Sequence, residues 1–143
     1  MVEVYNNQVA VALSNVLLER LEEAAQLAMP LALVHSAHDG GVLAMLDIVE
    51  VSIVDDPTID QVHLDFMGIP GATDVITFAH GEIVLSVETA QAYAKEYGNS
   101  FERELMLYIV HGLLHLSGHE DAIASEREAM EKVQFEILEQ VWG

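Results

Sequence analysis

From Leu105 to Leu116 the chain carries no charged residue, yet two histidines, His111 and His115, sit inside this stretch four positions apart. A helix here is apolar on nearly every side, so it has to be buried, and its histidines require a reason to be there. At about 3.6 residues per turn the two rings stand one above the other on one face, close enough to share an ion. Gly118 then allows the chain to turn sharply out of the helix, and His119, Glu120 and Asp121 follow.

The pattern reads H-x-x-x-H-x-x-G-x-x-D. His119 is the better intrinsic zinc donor, but it follows Gly118 at once and has little room to turn back. Asp121 has that room, so the spacing favours it as third ligand. Two helical ligands, a glycine turn and a third ligand make the zincin arrangement, which leaves one coordination position for water and implies catalysis rather than scaffolding. We expect His111, His115 and Asp121 to hold one metal ion per chain, with zinc the natural candidate. His119 stands beside them as a supporting or catalytic group. Glu104 and Tyr108 continue the histidine face downward. The glutamate that follows the first histidine in H-E-x-x-H, and serves a peptidase as base, is Gly112 here.

Composition bounds the chemistry. The 143 residues suit one domain with a real core, 52% of them are hydrophobic, and no apolar run is long enough to span a bilayer. With no cysteine, disulfides and thiolate sites are excluded, and any metal must rest on nitrogen and oxygen. The N-terminus, acidic where a secretory signal would be basic, reads as mature sequence, so a cytoplasmic protein is expected. Against 24 acidic residues stand only Arg20, Lys95, Arg103, Arg127 and Lys132, for a net charge of -19. That balance argues against a broad phosphate-binding face, and RNA binding would need a metal, a partner or a local positive pocket.

Strands are expected at Val2–Tyr5, Ile48–Val54, Thr73–Phe78 and Glu82–Ser86, the last two as antiparallel neighbours joined through His80 and Gly81. Ser14 caps a helix that Pro30 ends or kinks. Asp56 and Pro57 open another, which runs through Ile59, Val62 and Phe66 to a turn at Gly68–Gly71. Asp55 with Asp56 reads as a turn and cap rather than a metal pair. Ser86 caps a helix that Gly98 closes, Asn99 and Glu102 form a capping box for the buried helix Phe101–Ser117, and Ser125 with Glu128 opens the last one. In that last helix Met130, Val133, Ile137 and Val141 face inward. His35 and His38, ahead of a turn at Asp39–Gly41, read as surface or satisfied core residues. The fold expected is α+β, a mixed sheet of about four strands surrounded by helices, with a metal cleft at the end of the buried helix.

HGLLHLSGHED resembles the signature of the YbeY family of bacterial endoribonucleases, HGxLHLxGYDH or a form ending in Asp. TDVITF and GEIVLSVETA are similar to the family's TDVLSF and GDIxIS segments, and VSIVDD to its central strand. The resemblance runs over about Val49 to Asp121. It implies zinc held by His111, His115 and Asp121, hydrolysis of single-stranded RNA rather than DNA, and a role with the ribosome in 16S rRNA 3′-end maturation and quality control. This chain departs from the pattern in having Asp121 for the usual third histidine and Ala72 for the usual proline. The family's phosphate-contacting arginine aligns near Met67 and its asparagine near His63. No base follows from the sequence alone; His119 is the first candidate and His63 the second. A zincin-like metallopeptidase, or a non-catalytic metal-binding factor on the ribosome, is the competing expectation.

Overall fold

The structure, a computed structural model, describes residues 1–37, 41–69 and 73–142. His38, Asp39 and Gly40, and Pro70, Gly71 and Ala72, lie outside the described residues, and with them most of the turns expected at Asp39–Gly41 and Gly68–Gly71.

Among the described residues four strands form one sheet: β1 (Val2–Asn6), β2 (Val49–Val54), β3 (Val75–Phe78) and β4 (Glu82–Ser86), in the order β1-β2-β4-β3. The β1–β2 and β2–β4 pairs are parallel, and β3 runs antiparallel to β4. The hairpin is closed by the Gly81 N–H donating to the Phe78 carbonyl over 2.9 Å. Alternation along the strands separates two cores. Val49, Val51, Ile53, Ile83 and Leu85 face the larger one, together with helices α1 (Asn15–Val34), α3 (Val87–Tyr97), α4 (Phe101–Leu116) and α5 (Ala124–Trp142). Val54, Ile76 and Val84 face the smaller one, under Ile59 of α2 (Asp56–Met67). The α+β mixed sheet is the one the patterning predicted.

Local signals place most boundaries. Ser14 and Ser86 accept from the Leu17 and Thr89 N–H groups as caps, and Gly98 ends α3 in the left-handed region. Four expectations shift. Helix α1 runs four residues past Pro30 because Met29 and Ala32 are buried against the core while Pro30 faces solvent, so packing overrides the lost N–H. Asp55, not Asp56, caps α2, accepting from Thr58 N–H at 2.9 Å. Asp56 instead accepts from the Ser86 and Thr89 hydroxyls and ties α2 to α3. Ser100, not Asn99, caps α4, since the Asn99 N–H is spent on the Ala94 carbonyl at the end of α3. Ser125 lies inside α5, whose first turn has Arg127 N–H donating to the Ile123 carbonyl. Along α5, Met130 and Ile137 are buried as expected, Val133 and Val141 only partly, and Gln134 is buried with them.

Helix α4 is the axis of the larger core: Leu105, Met106, Ile109, Val110, Leu113 and Leu114 are fully buried. It comes unusually close to the sheet at Gly112, where a Cβ would sit 2.8 Å from Ile83 Cδ1 and Cγ2. A glutamate after His111 would have to displace the Ile83 side chain. A side chain at position 112 would crowd the contact between α4 and β4 at Ile83.

Candidate metal centre

Helix α4 ends in a Schellman turn, and the sequence HLSGHED dictates it. Gly118 takes a φ of 100°, its N–H donates to the His115 carbonyl at 3.1 Å, and the His119 N–H reaches back to the Leu114 carbonyl at 3.0 Å. The turn reverses the chain so that Asp121 comes back over the histidine face. Loop residues clamp it from outside, with Val42 N–H on the Leu116 carbonyl at 2.8 Å and Ala37 N–H on the Ser117 carbonyl at 3.1 Å.

The three residues expected as ligands come together. His111 Nε2 and His115 Nε2 are 3.0 Å apart, and Asp121 Oδ2 is 3.6 Å from the first and 3.5 Å from the second. Donors at the corners of a zinc tetrahedron, with bonds of about 2.0–2.1 Å, stand roughly 3.3–3.4 Å from one another. The triangle fits such an ion.

Proton placement points the same way. His111 Nδ1 lies 2.7 Å from Gln134 Oε1 and His115 Nδ1 lies 3.0 Å from the His119 carbonyl oxygen. Both partners are oxygens that only accept, so each Nδ1 carries its proton and each Nε2 presents a lone pair. Two lone pairs and a carboxylate oxygen then converge on one point with no hydrogen between them, an arrangement that a cation relieves. Burial, followed by the neighbouring His115, holds the His111 imidazole below its usual value, against weaker opposite pulls from Gln134, Asp74 and Asp121. It is therefore neutral near pH 7, as a ligand must be. Asp121 is about half exposed, with 45% of its side-chain surface accessible, so the centre opens to solvent on that side. A cleft of about 320 Å³ adjoins it, lined by Val42, Thr77, Ala79, His115, Gly118 and Glu120.

The other candidates fall elsewhere. His119 is 7% exposed, and its Nε2 is committed to the His35 carbonyl at 2.6 Å. It braces the turn against the end of α1 while its own carbonyl holds His115. His63 lies on α2, over the opposite face of the sheet. Gln134, which no local pattern in the sequence singled out, is in direct contact with His111. Its signal was a polar residue in register with Met130, Ile137 and Leu138 on a buried helix face.

Glu104 and Tyr108 do continue the histidine face into the core, and Glu104 Oε2 and Tyr108 OH find no hydrogen-bond partner among the described residues. Burial pushes the Glu104 carboxyl up, with Arg103 opposing and Asp74 adding to the rise; burial raises the Tyr108 hydroxyl as well. An acid whose folded-state value lies above the unfolded one is tolerated at low pH and costs stability as pH climbs through the folded value. Glu104→Met should therefore raise stability to urea at neutral pH by about 1–3 kcal/mol, with the gain shrinking below about pH 4. An equal gain at both pH values would refute the buried-carboxylate account.

The α+β fold brings two histidines and a carboxylate together at the end of a buried helix, a donor set of the kind that can hold a metal ion, open to solvent on one side. The chain belongs to the YbeY family: the model of that family, described as Endoribonuclease YbeY, matches residues 6–142. Similar proteins described as Endoribonuclease YbeY include one from Desulfitobacterium hafniense, 35% identical over an alignment of length 111, with 65% of this chain and 71% of the relative covered. Another, from Thermotoga neapolitana, is 38% identical over an alignment of length 100, with 65% of this chain and 66% of the relative covered. Among solved structures, the solution structure of TM1509 from Thermotoga maritima superposes with a TM-score of 0.67 at 28% identity, covering 100% of this chain and 90% of that one.

Proposed function

We propose that the protein is a metal-dependent endoribonuclease that cuts single-stranded RNA, with one zinc ion held by His111, His115 and Asp121. The observation that carries the reading is the convergence of His111 Nε2, His115 Nε2 and Asp121 Oδ2 within 3.6 Å of one another, in a chain of an endoribonuclease family. A bound divalent ion supplies a Lewis acid that activates water or polarises a phosphate oxygen. The protein's own groups orient and enclose. The Nδ1 contacts fix both imidazoles, the Schellman turn delivers Asp121, and the cleft beside Thr77 and Ala79 gives a single strand access. His119 serves as a brace in this scheme rather than as the base, because its ring is buried and bonded to the His35 carbonyl.

The biological setting we propose is the ribosome, in the cytoplasm, at the maturation of the 16S rRNA 3′ end and in quality control. A net charge of -19 disfavours unassisted capture of RNA by counterion release, so the ribosome or a basic partner has to bring the substrate. The peptidase alternative loses its base to the packing of Gly112 on Ile83. No helix among the described residues is long and apolar enough to cross a membrane.

The test is cleavage of single-stranded RNA and of an unstructured protein, before and after chelation and after zinc is restored. RNA cutting that stops with chelator and returns with zinc is expected. RNA cutting indifferent to chelator, or protein cutting in its place, overturns the reading.

A further inference from the structure

The two histidines of the pair are held in different ways. His115 Nδ1 faces a backbone carbonyl, that of His119, at 3.0 Å, and the Schellman turn provides that oxygen whatever the side chains are. His111 Nδ1 faces a side chain, Gln134 Oε1, at 2.7 Å. Gln134 comes from α5, 23 residues further along the chain, and is 6% exposed. Its helix is packed into the larger core, against α4 and α1, through the buried Met130, Ile137, Leu138 and Trp142. An amide is the polar group on that otherwise apolar helix face, aimed at the one imidazole nitrogen whose proton decides whether Nε2 is free to ligate.

We infer that Gln134 is a positioning residue: as acceptor, it keeps the proton of His111 on Nδ1 and so directs the Nε2 lone pair at the metal. The inference rests on the zinc reading above. The chemistry is specific to an acceptor. An amide turned round, donating N–H to Nδ1, would put the histidine proton on Nε2 and aim it at His115, closing the centre. An apolar side chain would leave Nδ1–H buried without a partner and the ring free to change tautomer. Partners of this kind beyond a metal's direct ligands are commonly worth about 10–100-fold in metal affinity.

Two variants of similar size separate these effects. Gln134→Met keeps the volume and removes the acceptor; Gln134→Glu keeps an acceptor and cannot donate when ionised. Zinc affinity of the full chain is measured by competition with a chromophoric chelator at one pH. The tautomer of His111 in the metal-free protein is read from long-range proton–nitrogen correlations of the imidazole. The Met variant should lose about 10–100-fold in zinc affinity and show a mixed His111 tautomer, with the metal-free protein still folded and unfolding cooperatively. The Glu variant should restore affinity to wild type or better, with the proton on Nδ1. Wild-type affinity and tautomer in the Met variant would overturn the positioning role, as would loss of zinc in the Glu variant alone. A wild type that takes up no zinc fails differently: it overturns the zinc reading and, with it, the metal-directing part of this one.

Discussion

His115→Ala should abolish both zinc uptake and RNA cleavage while leaving the fold intact. The substitution removes one of three donors and leaves Asp121 Oδ2 and His111 Nε2, 3.6 Å apart, as an open pair. Losing a direct ligand exceeds the roughly 10–100-fold effect of an outer partner, so affinity should fall by more than about a hundredfold and cleavage to background. His115 is partly exposed, at 21% of its side-chain surface, so alanine there makes no closed cavity and the metal-free melting curve should barely move. Metal content and single-turnover cleavage of the purified variant check this. Cleavage at the wild-type rate in a protein without zinc would remove the histidine pair from the chemistry. Asp121→His, which restores the third histidine usual in the resembled pattern, should retain the metal.

Gly41→Ala should be the most damaging change outside the ligands. Gly41 has a φ of 60°, and a Cβ there would stand 2.2 Å from the Leu116 carbonyl oxygen and 2.5 Å from the Gly118 nitrogen. Both atoms belong to backbone that forms the turn behind Asp121, so relief requires breaking the Val42–Leu116 bond or displacing the turn. We expect a loss of at least about 3 kcal/mol, together with weakened zinc binding, because the same turn supplies the His119 carbonyl to His115. Gly98→Ala is the control: its φ is 69° but no neighbouring atom lies within 4 Å, so only the backbone cost of about 1 kcal/mol applies. Urea unfolding of the two variants measures the difference, and equal losses would show that the close approach at Gly41 contributes nothing.

The parts of the fold that were legible are those whose cause lies within a few residues. Alternation in Val49–Ile53, the serine caps at 14 and 86, and the i, i+4 histidines on an uncharged helix all follow from neighbours in sequence. Where the same local rules met a long-range contact, the contact prevailed. Pro30 did not end α1 because buried residues on either side of it hold the helix in place. Asp56 was drawn from the cap position to the Ser86 and Thr89 hydroxyls. Asn99 was displaced as cap because its N–H belongs to the preceding helix.

The same division runs through the centre itself. By itself the sequence determined the two stacked imidazoles, the glycine that reverses the chain and the carboxylate that returns, because helix periodicity and a left-handed C-terminal glycine are local physics. Only the tertiary structure decided which nitrogen of the His111 ring faces the space between the three side chains. That choice rests on the Gln134 oxygen from α5, whereas the His119 carbonyl that faces His115 comes with the local turn. Hydrogen-bond acceptors from distant segments become neighbours only when the helices pack, so no spacing in the sequence announces them.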